Sequence, residues 1–217
     1  MFDPDLLKFM GELKRNNNRD WFNANKKRFE SSVQAPALAF IRAMAPRLKK
    51  ISKSLNADDS KSGGSLFRIY RDVRFAKDKR PYQDYVAMRF LHDKPDGPGC
   101  YMAITVADLT LGAGVWQPEK GPLINIRKAI AASPRAWAKA KTAAGWELGG
   151  ETLARPPKGF DKEHPAIDDI KRKDYVLFKK MKPQSILDKD FDARVAAEYA
   201  TAKPFLKFLA DALKLPM

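Results

Sequence analysis

Hydrophobic periodicity changes twice along this chain, and that double change constrains the fold more than any other feature. In the first third, Leu6, Phe9, Met10 and Leu13 recur at helical spacing, as do Leu38, Ile41, Ala45 and Leu48. From Leu66 to Trp116 the period drops to two. Helical spacing returns at about 119–131, 134–144, 190–201 and 203–214, with a short helix after Pro165. Helices, then strands, then helices predict an α+β fold: an antiparallel meander of about four to five strands, with N-terminal and C-terminal helices packed mainly on one face. The 217 residues suit a single domain, with a helical segment at 1–51, the sheet at 66–116 and a mainly helical part at 119–214.

Local signals refine this outline. Asp3 and Pro4 read as the cap and first position of a helix that Asn16-Asn17-Asn18 ends, and Asp20 reads as the next cap, ahead of Trp21, Phe22, Phe29 and Val33. Pro46 predicts a kink or break in the third helix. Strands are expected at Phe67–Phe75, Val86–Phe90, Cys100–Val106 and Leu109–Trp116, with a further one over Tyr175–Phe178. Asp96-Gly97-Pro98-Gly99 and Ala107-Asp108 suit hairpin connections. Gly112 and Gly114 predict a bulge or a close backbone approach.

Composition bounds the function. The net charge of +15 favours polyanionic partners such as nucleic acid. With 44% hydrophobic residues the chain can build a core. One cysteine, Cys100, forms no internal disulfide and suits a reducing compartment. No apolar run approaches ~18 residues and no basic-then-apolar leader opens the chain, so a cytoplasmic protein without a membrane span is expected.

The chemically richest segment is Phe67 to Tyr82, with four arginines, two lysines and two aspartates. If it is a strand, Arg68, Tyr70, Asp72 and Arg74 share one face, while Arg71 falls among Ile69 and Val73 and needs a planar partner. The candidate ligand-binding residues are Arg68, Tyr70, Arg71, Asp72, Arg74, Lys77, Lys79, Tyr82, Trp116, Lys158 and Phe160. The plainer reading is an internal Arg/Asp network, with Arg71 pairing to a helix carboxylate and Trp116 plugging the core. At Lys158-Gly159-Phe160, the glycine would let the backbone approach a neighbour closely.

Catalytic motifs are scarce. His92 and His164 lie far apart and read as surface or capping residues, and Cys100 reads as a buried inert thiol. Zincin, P-loop, paired C-x-x-C and nucleophile-elbow patterns do not occur. Asp72, Asp78, Asp84, Asp93 and Glu119 are carboxylates that could converge on a divalent cation, although no metal ligand set is assigned.

Several stretches together resemble a widespread bacterial and fungal family of conserved proteins of unknown function. They are Asn17 to Phe22, Phe67 to Phe75 with Lys77-Asp78-Lys79 and Pro81-Tyr82, Gly114 to Glu119, and Arg155 to Asp161. The resemblance spans nearly the whole chain. It implies no activity or cofactor, but it implies that Arg68, Arg71, Arg74, Lys77, Lys79 and Lys158 belong to one site. This chain departs from the family at Ala76, often serine, and at Gln83 and Tyr85, where lysine and histidine are common. Three functions follow as expectations: a cationic pocket or groove for a phosphorylated ligand or nucleic acid, a hydrolase using Asp72 or Asp78, and a partner-binding protein with an internal salt-bridge network.

Overall fold

The computed structural model describes residues 2–60 and 62–217. Helix α1 (Pro4–Arg15) starts as expected, with the Asp3 carboxylate accepting from the Asp5 amide. The next cap is Asn18, not Asp20. The Asn18 side chain accepts from the Trp21 amide, and Asp20 lies inside the first turn of α2 (Arg19–Ala24). Helix α3 (Lys26–Phe29) continues through one π-helical turn (Glu30–Gln34) into α4 (Ala35–Ile51). Arg28 ties this run to α1, reaching Asp5 at 2.5 Å and Glu12 at 2.6 Å.

Pro46 does not break α4. Its ring sits on the exposed side while Ile41, Met44, Leu48 and Ile51 are buried on the other, so core packing outweighs one missing amide donor.

The sheet is antiparallel throughout, in the order β1-β2-β3-β5-β4. Strands β1 (Val86–Phe90), β2 (Gly99–Ile104) and β3 (Leu109–Val115) form the meander. Strand β5 (Tyr175–Met181) joins β3 after the helices α5 (Lys120–Ala132), α6 (Pro134–Thr142) and α7 (Ile167–Ile170). Short β4 (Glu147–Gly149) closes the edge. The sheet is therefore not confined to 66–116, because two of its strands come from the C-terminal part.

Strand alternation divides the sheet cleanly. Val86, Met88 and Phe90, Cys100, Met102 and Ile104, Leu109, Leu111, Ala113 and Val115, and Tyr175 and Leu177 all face the core. There they pack with Phe9, Phe40, Ile126, Trp137, Phe191 and Phe205 from the helices, including α8 (Phe191–Thr201) and α9 (Lys203–Leu213). The alternate residues, among them Arg89, Tyr101, Gly112 and Phe178, lie outside that core cluster. The helices thus cover one face.

Gly114 is a close approach and not a bulge, since the β3–β5 register is regular through it. At φ +143°, an added Cβ would fall 2.0 Å from the Tyr175 carbonyl.

The predicted strand Phe67–Phe75 does not form. Leu66 bridges Met88 at the β1 edge, and the chain then leaves the sheet. Only Ile69 of the expected inward set is buried, Phe67 is half-exposed, and Phe75 is 96% exposed. Two aspartates explain this. Asp72 accepts from the Arg74 amide and Asp78 from the Arg80 amide, so side chains take donors that a ladder would need. The segment becomes an arm whose legs pair at Tyr70 and Tyr82.

Candidate functional site

The arm is held at its base by five contacts. The Arg71 amide donates to the Pro81 carbonyl and the Gln83 amide to the Ile69 carbonyl, closing the legs. Tyr82, buried, stacks on Phe22 with centroids 4.1 Å apart. The Asn17 side chain donates to the Tyr82 carbonyl and accepts from the Tyr82 amide, both at 3.0 Å. Two of the recurrent stretches, around Asn17 and around Tyr82, therefore meet.

The tip is organised by its own charges. Arg71 bonds Asp78 at 2.8 Å and the Arg80 carbonyl at 3.0 Å, so its partner is a carboxylate of the arm, where a helix carboxylate was expected. Arg80 forks onto the same Asp78. Arg74 forks onto Asp72, which an outward Arg68–Asp72–Arg74 face had suggested only in part. The Lys79 ammonium donates to the Val73 carbonyl.

These bonds hold both carboxyls below the usual range: Asp72 chiefly through Arg74, and Asp78, far below it, chiefly through Arg80 and then Arg71. Arg68 and Lys77 are exposed and make no ion pair or side-chain hydrogen bond among the described residues. Tyr70 is 51% exposed beside them.

The remaining candidates lie elsewhere. Lys158 is exposed in the loop that follows β4, the strand at the other sheet edge from β1. Gly159 approaches nothing; open space surrounds it, and its role is to adopt φ +90°. Phe160 packs partly against the core. Trp116 does not plug the core: it is 59% exposed, edge-on to Phe178 at 6.4 Å. Its position is set by buried Asp174, whose two oxygens accept from the amides of Gln117 and Glu151.

Neither histidine is a free surface group. His92 is buried, accepting from the Lys94 amide through Nδ1, which leaves Nε2–H to donate to the Pro216 carbonyl. His164 is bound in the same way between the Ala166 amide and the Ala131 carbonyl. Burial pushes the Cys100 thiol well above its ordinary value, which makes it a poor nucleophile.

Among the described residues no three His, Cys, Asp or Glu side chains are grouped to hold a metal ion. Asp78 and Asp84 share Arg80, and Asp93 sits against His92. No helix among those residues is long and apolar enough to cross a membrane.

Sequence reasoning passed over Asn17 as a side chain, Arg89, and the outward pair Tyr101 and Phe178. The usable signal was alternation: residues between core positions of a strand whose partner strands carry glycine.

The family model described as conserved hypothetical protein (DUF2461) matches residues 5–208. The chain belongs to that family. The family match takes in the arm, the Asn17 stretch, Trp116 and the Lys158 loop together. No curated protein and no solved structure matches the chain.

Proposed function

We propose that the protein is a polyanion-binding module that takes a phosphate-bearing ligand, nucleic acid in the first place, on its basic arm. One observation carries this reading. The arm holds six cations against two carboxylates, and both carboxylates are spent on Arg71, Arg74 and Arg80, which leaves Arg68 and Lys77 exposed beside Tyr70 with no ion pair among the described residues. Internal ion pairs give the arm its shape, and the surplus cations give it a positive field that steers phosphates.

The same pairs count against a hydrolase built on Asp72 or Asp78. A general acid must carry a proton at working pH, and both carboxyls are held low and already occupied by guanidinium groups.

The test is fluorescence anisotropy with labelled DNA duplex from ~20 mM salt upward. Binding should weaken with a log–log slope of about 0.9 per duplex phosphate neutralised. In Arg68→Ala/Lys77→Ala the slope should flatten by about 0.9 for each lost contact. No binding of duplex or single strand at the lowest salt overturns the reading.

A further inference from the structure

The sheet face that the helices leave uncovered carries two aromatic pairs on a floor of small residues. In register, Arg89, Tyr101, Gly112, Phe178 and Glu147 form one row across all five strands. Phe67, brought in by the base of the arm, stands edge-on to Tyr101 at 6.1 Å with Arg89 over its ring at 5.3 Å. On the far side of Gly112, Trp116 stands edge-on to Phe178.

The Phe178 ring is flanked by glycines of the two neighbouring strands. A methyl at Gly149 would strike its Cδ2 and Cε2 at 2.5 and 2.6 Å, and one at Gly112 would press on Cε1 at 3.3 Å. Opposite edges of the ring thus sit against two glycines, and the ring keeps this place only because both lack a Cβ. Tyr101 and Phe178 stand two strand spacings apart, about 10 Å.

Aromatic rings on an open antiparallel sheet are a surface for unpaired bases. Every base has a π-face, whereas bases in a duplex already have theirs covered. The charges bordering the face fit a phosphate backbone: Arg89 is exposed with no ion pair among the described residues, Lys180 is exposed with Asp108 at 3.7 Å, and the arm begins at Phe67. Glu147 is the one carboxylate of the row.

We infer that this face is a stacking platform for single-stranded nucleic acid, with Phe178 and Trp116 as one station and Phe67 and Tyr101 as the other. The inference rests on the polyanion reading and adds that bases, and not phosphates alone, are recognised.

Four probes of equal length separate the two: fluorescein-labelled dT15, rU15, a 15-nucleotide abasic strand, and a 15-base-pair duplex. The oligothymidine or the oligouridine should bind at least ten-fold more tightly than the abasic strand and the duplex. Phe178→Leu and Trp116→Ala should each weaken that binding roughly five- to 150-fold, the range for losing one stacked base, with abasic affinity unchanged. Should Phe178→Leu melt early, Trp116→Ala and Phe67→Ala, both at exposed rings, decide alone.

Equal affinity for all four probes, or aromatic variants that bind dT15 and rU15 like the parent, overturns the platform and leaves the polyanion reading standing. No binding of any probe at ~20 mM salt overturns both.

Discussion

The Asn17 side-chain amide pairs with the backbone of Tyr82 as a neighbouring strand would, one bond in each direction at 3.0 Å, across 65 residues of sequence. It fastens the turn between α1 and α2 to the base of the basic arm. Phe22 and Tyr82 stack over the same junction.

Replacing Asn17 by Ala should therefore cost about 1–3 kcal/mol, since the Tyr82 amide and carbonyl lose their partners in a part-buried setting. A drop in Tm of roughly 2–4 °C per kcal/mol is expected for a chain of this size. Asn17→Asp should also destabilise, because a carboxylate cannot donate to the Tyr82 carbonyl. Thermal unfolding of the two variants checks both.

Asp78 holds two guanidinium groups, and its loss should loosen the arm without unfolding the sheet. In Asp78→Asn, hydrogen exchange should quicken at the Arg71 and Gln83 amides, which close the legs, while the amides of β2 and β3 keep their protection. Exchange that quickens equally in the strands would make the arm part of the cooperative core.

Acid should weaken the Arg28 link between α3 and α1. Arg28, by its hydrogen bonds, pulls the Asp5 carboxyl down from 3.8 to about 2. A carboxyl lowered in the folded state contributes stability that is whole above its unfolded value and lost as pH falls through the folded one. The stability difference between the parent and Arg28→Met should thus stay constant above pH ~5 and shrink between about 4 and 2. Urea unfolding at stepped pH measures it.

Two glycines with positive φ should respond differently to alanine. Gly114→Ala places a methyl 2.0 Å from the Tyr175 carbonyl, so β3 and β5 must part. A loss of about 3 kcal/mol or more is expected. Gly159→Ala meets no neighbour and should cost only the backbone term, about 1–2 kcal/mol. Denaturant midpoints of the two variants rank them.

Cys100 should not react with a thiol reagent in the native protein and should react once in denaturant, because it is buried in β2 with its thiolate disfavoured. Mass spectrometry of alkylated protein reads the difference.

The sequence alone determined what depends on neighbours a few residues away. Periodicity located the helices and the strands β1, β2, β3 and β5, because burial on one side selects residues at fixed spacing. Asp3 and Pro4 started α1, for the orphan amides there need an acceptor. It also marked the arm as the chemically distinctive segment. Tertiary structure decided the rest. Alternation in Phe67–Phe75 looked like a strand, yet an apolar residue on a strand is stable only with a sheet to cover it, and beyond Leu66 no strand lies alongside. Pro46 looked like a break, but packing of the opposite helix face outweighed it. Whether Trp116 faced core or solvent depended on Asp174, 58 residues away, and the placement of the Phe178 ring depended on glycines from two other strands. Such relationships are set by contacts distant in sequence, and local pattern carries no record of them.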